Sequence, residues 1–106
     1  EVAITAPFGD ARLHGVIDRL VFEEGTVLAV DFKTNRTLPA TAENCPDGIL
    51  RQMAAYHIAL KQTFPDRTVK LAVFWTRSCE IMHLPHDIVS ASLQNTPYLD
   101  LLRTAT

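Results

Sequence analysis

Cysteine is scarce here: Cys45 and Cys79 are the only two among 106 residues, and no short spacing repeats around them. Four-cysteine zinc or iron–sulfur sites cannot be built from this chain alone, and two reduced thiols of a cytoplasmic protein are the simpler expectation. A single disulfide between them stays open. Long apolar runs are also missing: nothing approaches the roughly 18 residues of a membrane span, and no signal-peptide pattern opens the chain. Basic charge is not in excess, since 10 Lys and Arg stand against 12 Asp and Glu for a net charge of −2. Stand-alone nucleic-acid modules usually carry a basic face, so any such contact is expected to be local or supplied by other parts of a larger protein. There is no phosphate-binding loop, no internal repeat and no low-complexity segment. The first residue is Glu1 rather than Met, and the chain opens almost directly on a strand-like stretch. The expectation is one domain over residues 1–106, excised from a longer protein.

What is present is ordinary globular material, 47% hydrophobic and 21% charged, enough for one modest core. Glu1 to Pro7 reads as a short strand closed by Pro-Phe-Gly-Asp. Arg12 to Phe22 reads as a second strand, with Asp18 set inside an otherwise apolar run, turning at Glu23-Glu24-Gly25-Thr26. Val27 to Lys33 is a third, buried strand. Asn35 to Gly48 has two prolines and no periodicity, and reads as a long loop of the kind that carries function. A helix follows over Gly48 to Thr63, with Ile49, Met53, Tyr56 and Leu60 on its packing face and Gln52 between them. Val69 to Trp75 and Glu80 to Leu84 make a further strand and its hairpin partner. His86 to Arg103, with Ile88, Leu93, Leu99 and Leu102, reads as a terminal helix interrupted at Pro97.

The third strand carries the chemistry. Alternation puts Asp31 and Lys33 on one face and Val30 and Phe32 on the other. An acid and a base at the end of a core strand are costly to desolvate unless a metal ion and a phosphate offset them. A hairpin places Asp18 beside Asp31, and two carboxylates from neighbouring strands suit Mg²⁺ or Mn²⁺. The backbone carbonyl of Phe32 is a further candidate ligand. Lys33 can orient or activate a metal-bound water and neutralise a phosphate. Gln52 and Tyr56, one helical turn apart, can reach the same edge and hold a lysine or a phosphate.

Gly15-Val16-Ile17-Asp18-Arg19-Leu20, then Val30-Asp31-Phe32-Lys33-Thr34, then Gln52-Met53-Ala54-Ala55-Tyr56 resembles the PD-(D/E)XK nuclease superfamily. More narrowly it resembles the RecB-type nuclease domain, as found at the C-terminus of an AddA-type helicase–nuclease. The resemblance runs from Glu1 to about Leu84. It implies a restriction-endonuclease-like α/β fold with a mixed sheet flanked by helices, and Mg²⁺-dependent cleavage of DNA in a bacterial cytoplasm. It also implies Asp18 and Asp31 as metal ligands, Lys33 as the catalytic lysine, and Gln52 and Tyr56 as the supporting motif. The implied partners are DNA ends and unwound strands, a helicase portion of the same polypeptide and a second helicase–nuclease subunit, with no membrane. The family's first core helix, with its metal-binding histidine, is expected upstream of Glu1, and His14 is not that residue. The four cysteines of an iron–sulfur cluster are absent.

Plainer readings stand beside these. Asp31 and Lys33 as a surface ion pair would be worth under about 1 kcal/mol. Asp18 could pair with Arg19 at a sheet edge. Arg19 and Arg36 could contact phosphates or be merely solvated. His57, His83 and His86 read as surface or strand-end histidines, and Val73, Phe74 and Trp75 as core. Other readings of the whole are a Cas4-like or stand-alone exonuclease of the same superfamily, or a non-catalytic nuclease-like module that binds DNA or docks.

Overall fold

Val27, Ala29, Val30 and Asp31 are all buried, so the run they belong to can only be an interior strand. A computed structural model describes residues 1–8, 10–35 and 38–94. In chain order it shows β1 (Val2–Phe8), β2 (Ala11–Ile17), β3 (Arg19–Glu23) and β4 (Thr26–Lys33). A 3-10 turn at Ala42–Asn44 precedes α1 (Asp47–Thr63), then β5 (Thr68–Trp75), β6 (Glu80–Leu84) and α2 (His86–Gln94).

The strands form two sheets: a β1–β2 ribbon, and a four-stranded sheet in the order β3-β4-β5-β6. In the larger sheet β3 runs antiparallel to β4, β4 parallel to β5, and β5 antiparallel to β6. Parallel neighbours need a crossover, and α1 supplies it between β4 and β5. The result is the mixed α/β architecture expected of a restriction-endonuclease-like fold.

Helix α1 lies between the two sheets, which is why its apolar stripe is so wide. Ile49, Met53, Tyr56 and Leu60 are buried as their spacing predicts, and Leu50, Ala54, Ala55 and Ala59 are buried with them. Small alanines let the backbone approach on that second side. Ile4, Ala6, Leu13 and Ile17 from the ribbon meet Leu71, Val73 and Trp75 from the sheet in one core around the helix.

Two sequence expectations need correction or limits. Arg12 to Phe22 is not one strand, because the chain breaks at Asp18 into β2 and β3. The physical reason is a change of partner: Ile17 still pairs with Val2, whereas Arg19 already pairs with Val30. Asp18 sits in the bend between. The terminal helix is seen as α2 over His86–Gln94, while Pro97, Leu99 and Leu102 lie outside the described residues. Cys45 is buried and Cys79 exposed, both as free thiols.

Candidate active site

The site begins where β3 abandons β4. Pairing between them ends at Arg19↔Val30, so Asp31 to Lys33 have β5 on one side and an open edge on the other. Asp18 fills that edge. Its Oδ2 accepts the backbone N–H of Phe32 at 2.7 Å, replacing the strand carbonyl that would otherwise stand there. Within a strand the N–H and C=O of one residue point to the same side. The Phe32 carbonyl is therefore on the same open edge as the Asp18 carboxylate.

Asp31 points to the interior side of the sheet and is only 4% exposed. Lys33, two residues on, brings its Nζ within 2.8 Å of Asp31 Oδ2. From Lys33 a directed chain of hydrogen bonds runs across the molecule. Lys33 Nζ donates to Gln52 Oε1 at 3.0 Å, and Gln52 Nε2 donates to Tyr56 Oη at 2.9 Å. Tyr56 Oη then donates to the Val16 carbonyl on β2, also at 2.9 Å. The polarity of this chain sets the amide. A carbonyl accepts only, so the phenol must give its proton to Val16 and accept from Gln52, which turns Gln52's oxygen to the ammonium.

Electrostatics at the site favour neutral acids. Burial raises the pKa of Asp31 above the ordinary carboxylate value; Lys33 works against this, and the neighbouring Asp18 adds to it. Burial, then the charge of Asp31, pushes Tyr56 up to about 12, so its hydroxyl stays protonated at any working pH. Cys45 is raised by burial and lowered by the charge of Lys33. The loop before α1 thus lines the same neighbourhood.

The donor set fits a hard divalent cation. It consists of carboxylate and carbonyl oxygens, the ligand type that Mg²⁺ and Mn²⁺ prefer. Asp31 Oδ2 is buried against the Lys33 ammonium at 2.8 Å, and desolvation of the carboxylate still outweighs that partner. Among the described residues no three His, Cys, Asp or Glu side chains converge. Asp18, Asp31 and Phe32's carbonyl would therefore hold the ion with water completing the shell, as Mg²⁺ tolerates.

All five side chains singled out in the sequence meet in this one place. Asp18, Asp31 and Lys33 stand at the open end of β4, and Gln52 and Tyr56 stand behind the lysine. The Val16 carbonyl was not foreseen, and no sequence signal could reveal a backbone acceptor 40 residues from its donor. Arg19 is exposed and Arg36 lies outside the described residues. Val73 and Trp75 are core as expected, whereas Phe74 is half-buried and packs edge-on against Phe32, their ring centres 5.7 Å apart.

A mixed sheet with an interrupted antiparallel edge, two acids and a lysine at that break, and a crossover helix holding the lysine define a restriction-endonuclease-like domain. The model of the PD-(D/E)XK nuclease superfamily matches residues 1–105, and the chain belongs to that superfamily. Its members are generally nucleases and typically use divalent metals. No curated protein and no solved structure matches the chain. No described helix is long and apolar enough to cross a membrane.

Proposed function

We propose that this chain hydrolyses DNA phosphodiesters with Mg²⁺ or Mn²⁺, as the nuclease domain of an AddA-type helicase–nuclease that processes double-strand breaks. The observation that carries the reading is the convergence of Asp18, Asp31 and Lys33 at the unpaired end of β4. Asp18, Asp31 and the Phe32 carbonyl would hold the cation, which would supply Lewis-acid polarisation of the phosphoryl group and a more acidic water. Lys33 neutralises a non-bridging phosphoryl oxygen and orients the attacking water in line with the leaving oxygen. Gln52 and Tyr56 are positioning residues: they fix the ammonium so that it need not reorganise as charge develops. The helicase motor and a second helicase–nuclease subunit are then partners outside this chain.

The test is cleavage of labelled single- and double-stranded DNA by the whole protein, with and without Mg²⁺ or Mn²⁺. Asp31→Ala and Lys33→Ala should each lower the rate by about 10²-fold or more, with helicase activity kept. Full-strength cleavage by both variants overturns the proposal.

One observation favours a second reading. With only two carboxylates converging among the described residues, the chain alone would serve as a DNA-binding or docking module. Calorimetric titration of Mn²⁺ separates the two. A binding heat that Asp18→Asn abolishes supports the metal site, and no heat in the parent supports the module.

A further inference from the structure

The turn from β5 to β6 is built onto the end of the strand that carries Asp31 and Lys33. Thr76 to Cys79 reverse the chain between Trp75 and Glu80, with Cys79 in the left-handed region at φ 57°. Thr76 gives the Lys33 carbonyl two donors, its N–H at 2.9 Å and its hydroxyl at 3.2 Å. Arg77 then donates its Nε–H to the Thr34 carbonyl at 3.0 Å. Two successive carbonyls at the end of β4 are therefore held by two successive residues of the turn.

The bond from Nε fixes the Arg77 guanidinium but uses only one of its N–H groups. Those on Nη1 and Nη2 meet no protein acceptor among the described residues. No described carboxylate offsets the charge. The ion pair among the described residues joins Lys33 to Asp31, and Glu80, the nearest acid in sequence, opens β6 opposite Trp75 without pairing to Arg77. Arg77 is exposed, and an arginine stays charged at any working pH. A guanidinium tied down at one edge, with the rest of its fork free, is pre-organised for bidentate contact with a phosphate.

Its place in the fold says which phosphate. Thr34 follows Asp31 by three residues, about 10 Å along an extended chain. A strand of duplex DNA rises about 3.4 Å per nucleotide, so the guanidinium stands a few nucleotides from a phosphodiester at Asp31 and Lys33. With a net charge of −2 the chain as a whole does not attract a polyanion, and contacts of this local kind must supply the attraction. We infer that Arg77 grips the backbone of the bound DNA strand, a few nucleotides from the bond that is cut. This rests on the reading of the chain as a domain that acts on DNA. Arg77 holds the strand in register, and the chemistry stays with the groups at Asp31 and Lys33.

Fluorescence anisotropy of labelled single-stranded and duplex oligonucleotides tests this on the chain in chelator, from about 50 to 200 mM KCl. Arg77→Gln should weaken binding about tenfold, by a similar factor on unrelated sequences. It should also lower the slope of log K against log salt by about 1, which a merely structural arginine would leave alone. Arg77→Lys keeps the charge and loses the Nε bond, so it should restore the slope and only part of the affinity. With Mg²⁺ or Mn²⁺ added, Arg77→Gln should raise KM for cleavage and leave kcat within about twofold. A Gln variant that keeps the parent's slope and KM overturns the inference, as does a lost slope that Lys does not restore. A parent that binds DNA and cuts nothing counts against the nuclease reading, while the slope still decides the role of Arg77. A parent that binds no DNA overturns both.

Discussion

Asp31 is held in a state its surroundings resist. Its pKa is raised above the ordinary value, chiefly by burial, with Lys33 opposing and Asp18 reinforcing. An acid whose folded pKa is raised contributes stability below its unfolded pKa, and that contribution is lost as pH rises through the folded value. Ionising Asp31 therefore costs stability while no metal ion is bound. Asp31→Asn should therefore melt higher than the parent in chelator at pH 7, by thermal unfolding followed by circular dichroism. Adding MgCl₂ or MnCl₂ should raise the parent's melting temperature and not the variant's. Tyr56 obeys the same sign at the other end of the scale. Its pKa moves from an ordinary 10 to about 12, so its contribution is complete below pH 10 and fades towards pH 12. Tyr56→Phe should remove that alkaline step. It should also cost about 1–2 kcal/mol at neutral pH, because the Val16 carbonyl and the Gln52 amide lose a partner. Urea unfolding at pH 7 and pH 11 measures both effects.

The β3–β4 hairpin is the element on which the site depends. A one-residue slip would turn Asp31 and Lys33 to the opposite face and bring Phe32 inward. A two-residue turn, Glu24-Gly25, helps prevent this, with Gly25 at φ +72° where a side chain would be strained. Arg67 adds a clamp from the loop before β5. Its guanidinium donates to the Glu23 and Thr26 carbonyls at 2.7 and 2.8 Å and lies 5.2 Å over the Phe22 ring. Arg67→Ala should lower stability by about 1–3 kcal/mol, read by denaturant unfolding, with cleavage per folded molecule retained. The turn was legible in the sequence because glycine between two apolar runs has a local meaning. The clamp was not, since an arginine over 40 residues away carries no local signal of what it will cover.

At the scale of the molecule, the two sheets share no ladder among the described residues. The β1–β2 ribbon is held by the core around α1, by Tyr56 on the Val16 carbonyl, and through the bend at Asp18. Its amides should exchange with solvent before those of β4 and β5, which have strand partners on both sides over most of their length. A cation bridging Asp18 to Asp31 would tie ribbon to sheet. Native-state hydrogen exchange should therefore show protection rising in β2 when Mn²⁺ is added to the parent, and not to Asp18→Asn.

Local pattern by itself determined most of the elements and half of the site. Alternation along β4 put Asp31 and Lys33 on one face, and helical spacing put Gln52 and Tyr56 one turn apart. Both periods are properties of the backbone and need no knowledge of the partner. Tertiary structure alone decided where the first acid stands. A continuous strand through Asp18 was the natural reading of an apolar run, yet the chain changes sheets there, and the carboxylate takes the place of a missing strand. Tertiary structure also decided that a carbonyl on β2 would orient the amide that holds the lysine. These features depend on how the ribbon, helix and sheet pack against each other. Packing joins residues that sequence separates, so no local period could have announced them.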